Sequence, residues 1–342
     1  MTKNKRRDFF HVIDTRPFNR PLLDELVELT TMVRTLGQTK AGAIFLKGLL
    51  QHKRAMLYFT QPSTRTFLSF NNACQILGMG TSEIRDRSVS SEVKGETFED
   101  SIRTFSSYVD VIIMRTPGDG RADNAADLMD SIPRRIPIIN AGSGKDQHPT
   151  QALLDVCTLQ RSFEYRGGID GKVIGMMGDL KRGRTVRSLS YLMKNYHDVR
   201  LVFIAPRAFQ MEADIKEHLK SHNIEFEETT DMHAALPGLD ALYVTRMQSE
   251  HDTGDESQSF DYAQYSITTA AVEQMKFDAI IMHPLPRGPE IHPDVDHDRR
   301  AVYWRQERNG MWMRVAILIK LFGLERQLAA HADGHALEPA AD

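Results

Sequence analysis

Cysteine is scarce in this sequence, and no run of apolar residues is long enough to cross a bilayer. Only Cys74 and Cys157 occur among 342 residues, both within apolar helical patterns, so we expect two core residues and neither a disulfide nor a metal pair. A membrane-spanning helix needs about 20 consecutive apolar residues. The basic segment from Met1 to Asp8 is not followed by the apolar stretch of a signal peptide. We therefore expect a cytoplasmic protein without a membrane partner.

A large excess of charge is also missing. The 43 Lys and Arg residues nearly balance the 46 Asp and Glu residues, and the net charge of −3 argues against a nucleic-acid partner. The 13 histidines show no spacing typical of a metal site. His292 and His297 lie among aspartates, where the pattern favours a solvated loop over a metal ion. The remaining composition, 41% hydrophobic and 26% charged, is that of a globular protein with the length of two domains.

Short apolar runs alternate with helical patterns along the whole chain. This alternation is typical of α/β proteins, and it predicts two doubly wound domains, each with a parallel sheet. Four strands are predicted in the first half, at 55–59, 80–85, 109–114 and 136–141. Five are predicted in the second half, at 172–177, 200–205, 224–228, 241–245 and 279–283.

Helices are predicted to join the two domains. A helix beginning at Pro149, a residue favoured in the first helical turn, would lead from the first domain into the second. We expect the first domain at 1–149, completed by a C-terminal helix at 315–328 with an apolar face, and the second domain at 150–310. The segment 329–342 is small and polar, and we expect it to be disordered.

A polar motif at the end of the first predicted strand carries the strongest chemical signal. Ser63, Thr64, Arg65 and Thr66 follow an apolar run and precede an amphipathic helix pattern. A helix start offers free N–H groups and a positive dipole end, and an arginine can bind two phosphate oxygens at once. Ser and Thr also cap helices that bind no ligand. Because Arg65 and Thr66 adjoin the hydroxyls here, we favour a phosphate site.

Two further polar motifs follow predicted strands. Residues 147–151 (Gln-His-Pro-Thr-Gln) come after the apolar run 136–142, and residues 283–287 (His-Pro-Leu-Pro-Arg) come after 279–282. The carboxyl ends of strands are where open α/β sheets bind ligands. We therefore expect the motifs to contribute to a ligand site.

In this order, the motifs resemble those of the aspartate/ornithine carbamoyltransferase family, and its aspartate-specific branch in particular. The other matching pieces are 93–97 (VKGET), 114–115 (MR), 178–185 (GDLKRGRT) and 245–248 (TRMQ). The resemblance runs from about residue 10 to residue 325. It implies transfer of a carbamoyl group from carbamoyl phosphate to the amine of L-aspartate, in pyrimidine biosynthesis, with no cofactor and no metal.

The resemblance also implies roles for individual residues. Those implied to bind carbamoyl phosphate are Ser63, Thr64, Arg65, Thr66, Ser90, Arg115, His148, Gln151, Pro284 and Leu285. Those implied to bind aspartate are Lys94, Arg184, Arg246, Gln248 and Leu285. Those implied to be catalytic are Arg65, Thr66, Lys94, Arg115 and His148.

In the family, the loop that carries Ser90 and Lys94 reaches into the active site of a neighbouring subunit. The resemblance therefore implies a homotrimer with shared sites. A regulatory chain or a dihydroorotase is a further partner that it allows. Two alternatives stay open: transfer to another amino acid, and a non-catalytic subunit that scaffolds such a partner. The carboxylate-binding arginines argue against the first, and the presence of Arg65, His148 and Lys94 argues against the second.

Two positions depart from the family pattern. This chain has Gln61 where the family usually has Glu, and His251 where it often has Arg. In relatives that Glu pairs with arginines and bridges the two domains in the closed state. We therefore expect an active enzyme in which another contact favours domain closure.

Overall fold

The computed structural model describes residues 9–86, 95–144, 147–246 and 262–334. The chain divides into two compact units, Met1–Leu153 with Asn309–Asp342, and Leu154–Arg308. The first division lies four residues beyond the boundary predicted at 149/150. None of the described helices has the length and hydropathy needed to span a membrane.

The first unit contains a four-stranded parallel sheet. Its strands are β1 (Arg54–Phe59), β2 (Gly80–Ile84), β3 (Val111–Arg115) and β4 (Ile138–Asn140), in the order β2-β1-β3-β4. Strands β3 and β4 are buried along almost their whole length, as expected for a sheet covered on both faces. A short segment at Val12 extends the sheet, because its N–H donates to Ile138 O at 2.9 Å and its carbonyl accepts from Asn140 N at 2.8 Å.

Helices flank this sheet, and polar side chains cap three of them. They are α1 (Arg20–Leu36), α2 (Lys40–Leu49), α3 (Thr64–Ile76), α4 (Phe98–Tyr108), α5 (Arg121–Ser131) and the start of α6 (Pro149–Ser162). The side chains of Asn19, Thr39 and Thr97 cap α1, α2 and α4 by accepting a backbone N–H. Pro149 begins α6, as its fixed φ and missing N–H favour.

The second unit contains a five-stranded parallel sheet. Its strands are β5 (Val173–Met177), β6 (Arg200–Ile204), β7 (Glu225–Thr229), β8 (Ala241–Val244) and β9 (Ile280–Met282), in the order β7-β6-β5-β8-β9. The strand order reverses between β5 and β8, which is the topology of a doubly wound sheet. The helices of this unit are α7 (Arg184–Leu192), α8 (Ala213–Ser221), α9 (Met232–Ala235), α10 (Thr269–Glu273) and the start of α11 (Tyr303–Leu321).

The C-terminal segment differs from the prediction. The helix expected at 315–328 is instead the end of α11 followed by a separate helix, α12 (Glu325–Gly334). Gly323 adopts φ +66°, and Leu324 N donates to Ile319 O at 3.1 Å, the hydrogen bond that ends a helix at a left-handed glycine. The predicted disorder is wrong for 329–334, because they belong to α12, where His331 stacks on Phe45 at a ring distance of 3.6 Å. Residues 335–342 lie outside the described part of the chain.

Candidate active site

The first unit brings the ends of three neighbouring strands to one edge of its sheet. Strands β1, β3 and β4 are parallel neighbours, so their carboxyl ends lie side by side. Residues 63–66 follow β1, Arg115 ends β3, and His148 follows β4. The structure therefore places these predicted carbamoyl-phosphate ligands at the edge where parallel sheets bind ligands.

Helix α3 begins at Thr64, and the side chain of the residue before it does not hydrogen-bond to the helix. Ser63 occupies the N-cap position with extended backbone (φ −165°, ψ 101°), but its side chain makes no capping hydrogen bond, unlike that of Asn19 in α1. The Ser63 hydroxyl and the first N–H groups of α3 thus lie at one helix end without bonding to each other. Arg65 is exposed beside them, and Thr66 is buried. Such an arrangement suits an anion.

Gly142 lies where the side chains of Arg115 and His148 come together. Its φ is +100°, and a Cβ built on it would be 2.9 Å from His148 Nε2 and 3.1 Å from Arg115 Nη1. Both nitrogens therefore lie next to a position that only glycine leaves empty. The turn is held by Asn140, whose Oδ1 accepts from Gly142 N at 2.9 Å and from Ser143 N at 2.8 Å.

Gln151 and His148 share the first turn of α6. Gln151 N donates to His148 O at 3.1 Å, and both residues are buried, at 6% and 5% exposure. Gln147, just before them, is fixed to the N-terminal segment because its Oε1 accepts from Thr15 N at 2.7 Å. Helix α6 therefore presents the imidazole and the amide of two predicted ligands from a well-anchored start.

The second unit also gathers predicted ligands at the carboxyl edge of its sheet. Strands β5, β8 and β9 are neighbours; Arg184 follows β5 as the first residue of α7, and Arg246 follows β8. The loop after β5 passes close to the end of β8, because a Cβ on Gly178 (φ +123°) would collide with the carbonyl oxygen of Thr245. Both arginines are partly buried, and they lie after adjacent strands.

The loop after β9 holds Pro284 and Leu285 in an unusual backbone conformation. Leu285 has φ +51°, and the peptide bond that follows it is cis. Leu285 N donates to His283 Nδ1 at 2.8 Å, and His283 Nε2 lies 2.8 Å from Glu290 Oε1. Burial alone would raise the pKa of the Glu290 carboxyl, but hydrogen bonds from His283 and Gly288 hold this pKa below its usual range.

Arg287 anchors the far side of the same loop. Its Nη2 donates to Asp296 Oδ2 at 2.7 Å, and its Nη1 also reaches Asp296 and the Tyr303 hydroxyl. Burial would raise the pKa of the Asp296 carboxyl, whereas the hydrogen bonds from Arg287 and Tyr303 lower it. The guanidinium is thus engaged within the second unit, where it holds the loop to α11.

Several predicted residues lie outside the described part of the chain. These are Ser90, Lys94 and Gln248, together with His251. Gln61 is described: its backbone N donates to Arg115 O at 3.1 Å, and its Oε1 is buried with no hydrogen-bond partner among the described residues. In the same described ranges, no group of three or more His, Cys, Asp or Glu side chains is arranged to hold a metal ion.

Sequence reasoning missed three residues that shape these two edges. In the sequence, Asn140 and Gly142 indicate only the end of an apolar run, and no pattern points to Glu290. The signal for the first pair was present, because Asn followed two residues later by Gly is typical of a tight turn. Nothing in the sequence links Glu290 to His283, since seven residues in a loop have no fixed spacing in space.

Comparison with protein families matches both units of the chain. Residues 11–161 match the model described as "Aspartate/ornithine carbamoyltransferase, carbamoyl-P binding domain". Residues 170–321 match the model described as "Aspartate/ornithine carbamoyltransferase, Asp/Orn binding domain". The two models together cover most of the chain.

Known proteins of plants and archaea are similar over nearly the full length. Aspartate carbamoyltransferase 1 of Pisum sativum, a chloroplastic protein, is 41% identical over 310 residues, which are 90% of this chain and 77% of that protein. The aspartate carbamoyltransferase catalytic subunit of Thermococcus gammatolerans is 42% identical over 307 residues, 90% of this chain and 96% of that one.

Solved structures of aspartate transcarbamoylase from Trypanosoma cruzi have the same fold. The complex of that enzyme with carbamoyl phosphate and aspartate superposes with a TM-score of 0.81 at 36% identity, covering 91% of this chain and 96% of that chain. Its complex with N-(phosphonacetyl)-L-aspartic acid also gives 0.81, at 35% identity and with 91% and 95% covered. The predicted α/β class, with a parallel sheet in each of two domains, is confirmed.

Proposed function

Because this chain belongs to the aspartate/ornithine carbamoyltransferase family, we propose that it transfers the carbamoyl group of carbamoyl phosphate to the amine of L-aspartate. The products are N-carbamoyl-L-aspartate and phosphate, as in pyrimidine biosynthesis. The observation that carries the proposal is the approach of Arg115 and His148 to Gly142, beside the open start of α3. The relatives described above bear the name of this activity, and the Trypanosoma cruzi enzyme has been solved with both substrates.

The phosphate of carbamoyl phosphate binds at the start of α3. The helix N–H groups and the hydroxyls of Ser63, Thr64 and Thr66 donate hydrogen bonds to its oxygens, and Arg65 adds a two-pronged ionic contact. Such a site binds the phosphate dianion of the substrate. It also stabilises the negative charge that develops on the phosphate as it leaves. Binding at this end of the helix requires no separate cation.

The carbonyl of the carbamoyl group lies toward Arg115 and His148. When the amine attacks the carbonyl carbon, the oxygen gains negative charge, and donors already aimed at it lower the barrier. Arg115 Nη1 and His148 Nε2 both lie beside Gly142, which suits them to bind one small atom together. Gln151, in the same helical turn as His148, accepts from the carbamoyl NH₂ group.

Aspartate is bound by residues of the second unit and of the loop that carries Lys94. Arg184 and Arg246, which follow adjacent strands, bind its two carboxylates together with Gln248. Pro284 and Leu285 contribute backbone groups to substrate binding, as the family resemblance implies, and the Leu285 carbonyl accepts a hydrogen bond from the attacking amine. Two arginines favour a dicarboxylate over ornithine, whose side chain is cationic.

A direct assay tests the activity. Purified protein with carbamoyl phosphate and aspartate should form N-carbamoyl-aspartate, and ornithine in place of aspartate should give no citrulline. Arg65→Ala should lower kcat/KM by about 10² to 10³, as loss of one charged donor to a transition state does. Lys216→Ala, which removes an exposed surface charge paired with Glu228, is the matched control. Near-normal turnover by folded Arg65→Ala would contradict the assignment.

We propose further that three copies assemble so that Ser90 and Lys94 act in a neighbour's site. The support is the resemblance of the loop that carries them. Lys94→Ala and His148→Ala proteins should each be inactive, but mixing them with subunit exchange should restore activity, because some interfaces then carry both wild-type residues. No recovery after proven exchange, or a monomeric mass in light scattering, would count against a shared site.

The compartment and the protein partners are the remaining part of the proposal. Cys74 and Cys157 are both buried thiols, which suits a reducing cytoplasm. A regulatory chain or a dihydroorotase is the partner class that fits this activity. Cell fractionation tests the compartment, and finding the protein in an organelle would exclude the cytoplasm. Native mass measurement of the complex tests the partner, and a mass equal to that of the trimer alone would exclude a bound regulatory chain or dihydroorotase.

A further inference from the structure

Glu290 and His283 form a buried pair that the proposed chemistry does not use. Both side chains are nearly inaccessible, with Glu290 at 8% and His283 at 1% exposure. The pair lies beneath the loop from Pro284 to Gly288, whose backbone is proposed to meet the substrates. The following inference therefore rests on the proposed function.

The hydrogen bonds around His283 fix which ring nitrogen carries the proton. Leu285 N–H donates to Nδ1 at 2.8 Å, so Nδ1 must keep its lone pair. The ring proton is then on Nε2, which lies 2.8 Å from Glu290 Oε1 and donates to it. A carboxylate only accepts hydrogen bonds, so Glu290 selects the tautomer that can hold Leu285.

Glu290 also binds the other end of the loop. Its Oε1 accepts from Gly288 N at 2.8 Å, so one oxygen connects His283 at the start of the loop with Gly288 near its end. Leu285 between them has φ +51°, a left-handed conformation that is unfavourable for a non-glycine residue. Contacts from outside must therefore maintain it, and the Leu285 N–H bond to His283 is one.

The backbone of His283 is held by buried hydrogen bonds within the second unit. His283 N donates to Gln306 Oε1 at 2.9 Å, and Gln306 Nε2 donates to Asp155 Oδ1 at 2.7 Å. Asp155 also accepts from the Tyr243 hydroxyl at 2.8 Å. The histidine backbone is thus fixed to α6, β8 and α11, and only its ring orientation and proton position are left for Glu290 to set.

We infer that Glu290 is a positioning residue: it holds His283 in the Nε2–H tautomer, and His283 in turn holds the backbone of Leu285, whose carbonyl then accepts the amine of aspartate. Neither Glu290 nor His283 touches a substrate. Their loss changes the orientation of the peptide at Leu285 and leaves the phosphate site of the first unit unaltered.

The test compares Glu290→Ala with Glu290→Gln. Alanine removes the acceptor, so kcat/KM for aspartate should fall by about 10- to 100-fold, the effect of misplacing a reacting group by about 1 Å, while the Kd of carbamoyl phosphate stays within twofold. Glutamine keeps an oxygen that can accept from both His283 and Gly288, so it should retain most activity. If Glu290→Ala does not fold, Glu290→Asp, one methylene shorter, takes its place with the same expected direction.

Asp240→Ala is the matched control. Asp240 is another carboxylate of the second unit that accepts a backbone N–H, from Val173 at 2.8 Å, but it precedes β8 at the opposite end of the sheet. It should lower the Tm without changing the aspartate kinetics. An equal loss of kcat/KM in Asp240→Ala would show that destabilisation alone explains the effect.

A second readout does not depend on activity. In ¹⁵N-histidine spectra of the wild type, the His283 signal, assigned by its loss in His283→Gln, should show a protonated Nε2 and an unprotonated Nδ1. Glu290→Ala should shift it toward a mixture of tautomers. A protonated Nδ1 in the wild type, or unchanged aspartate kinetics in folded Glu290→Ala, would overturn the inference. An inactive wild type with the expected tautomer would instead refute the proposed function alone.

Discussion

At the scale of single residues, Gly142 is predicted to affect activity although its own side chain is a hydrogen atom. Gly142→Ala places a methyl group within 2.9 Å of His148 Nε2 and 3.1 Å of Arg115 Nη1, so both side chains must shift. Displacement of this kind costs about 10² in rate, and we expect kcat/KM to fall by about that factor. Steady-state kinetics with both substrates measures it.

The control for Gly142→Ala is Gly323→Ala. Gly323 also has positive φ, +66°, but a Cβ there would meet nothing within 4 Å. Both substitutions should cost about 1–2 kcal/mol of stability through backbone strain, and only Gly142→Ala should lose activity. Equal activity of the two variants would mean that Arg115 and His148 need not adjoin Gly142.

The residue scale is also where sequence reasoning reached its limit. Residues such as Arg115 and His148 could be singled out because their types and neighbours match a known pattern. Gly142 could not, because its importance comes from two side chains, one at the end of a different strand and one six residues farther along the chain, that meet it only in the fold. Glu290 could not, because its partner is set by how a loop folds.

At the scale of elements, the N-terminus of α3 differs from those of α1, α2 and α4, whose N-cap side chains each accept a backbone N–H. Ser63→Ala should leave the Tm nearly unchanged, because the Ser63 side chain makes no capping hydrogen bond. It should weaken carbamoyl phosphate binding by about 5- to 10-fold, as loss of one hydrogen bond of about 1–1.5 kcal/mol does. Thermal unfolding and calorimetric titration measure the two effects.

Thr39→Ala is the control for Ser63→Ala, and we expect it to change stability and not ligand binding. Thr39 Oγ1 accepts from Gly42 N at 3.0 Å, so its loss should cost about 1 kcal/mol of stability and leave ligand binding unchanged. If Ser63→Ala destabilises the protein as much as Thr39→Ala, then Ser63 caps its helix in solution and is not reserved for phosphate.

Asp130 connects α5 with the N-terminal segment and should make the first unit sensitive to acid. Burial alone would raise the pKa of its carboxyl, but hydrogen bonds from Arg135 and His11 lower it. Since the folded-state pKa is depressed, the contribution is fully present above the unfolded-state value of about 3.9 and is lost as pH falls through the folded-state value. Asp130→Asn should cost about 1–3 kcal/mol at neutral pH and less at low pH. Denaturant unfolding at several pH values tests this; a deficit that stays constant down to pH 2 would contradict it.

Elements were easier to predict than their ends. All nine strands of the described residues were predicted. Buried strands such as β3 and β4 are continuous apolar runs, whereas β2 and β7 are largely exposed. The strand expected from residue 109 begins only at Val111 because Val109 N still bonds to Phe105 O at the end of α4. The break at Gly323 was missed because glycine inside a helical pattern does not reveal its φ in the sequence.

At the scale of the whole molecule, the first unit is discontinuous in sequence and the second is not. The chain leaves the first unit within α6 and returns within α11. The returning part of α11 contributes fully buried apolar side chains to the first unit, namely Met313, Val315, Ala316, Ile317, Leu318 and Ile319. Each large side chain of this kind stabilises a fold by about 1.5–3 kcal/mol, so together they rival the total stability of a typical domain, about 5–15 kcal/mol.

A chain that ends at Arg308 should therefore lose the first unit and keep the second. Amides of β1 and β3 should exchange with solvent within seconds, whereas those of β5 and β8 should stay protected, and carbamoyl phosphate binding should vanish. A chain that ends at Gly334 retains α11 and α12 and should behave as the full chain does, which separates loss of the helix from loss of chain length. Slow exchange in β1 and β3 of the shorter chain would show that the first 153 residues fold without the C-terminal helices. In that case the sheet of the first unit would fold first, and α11 would pack on it afterwards without being needed for the stability of the sheet.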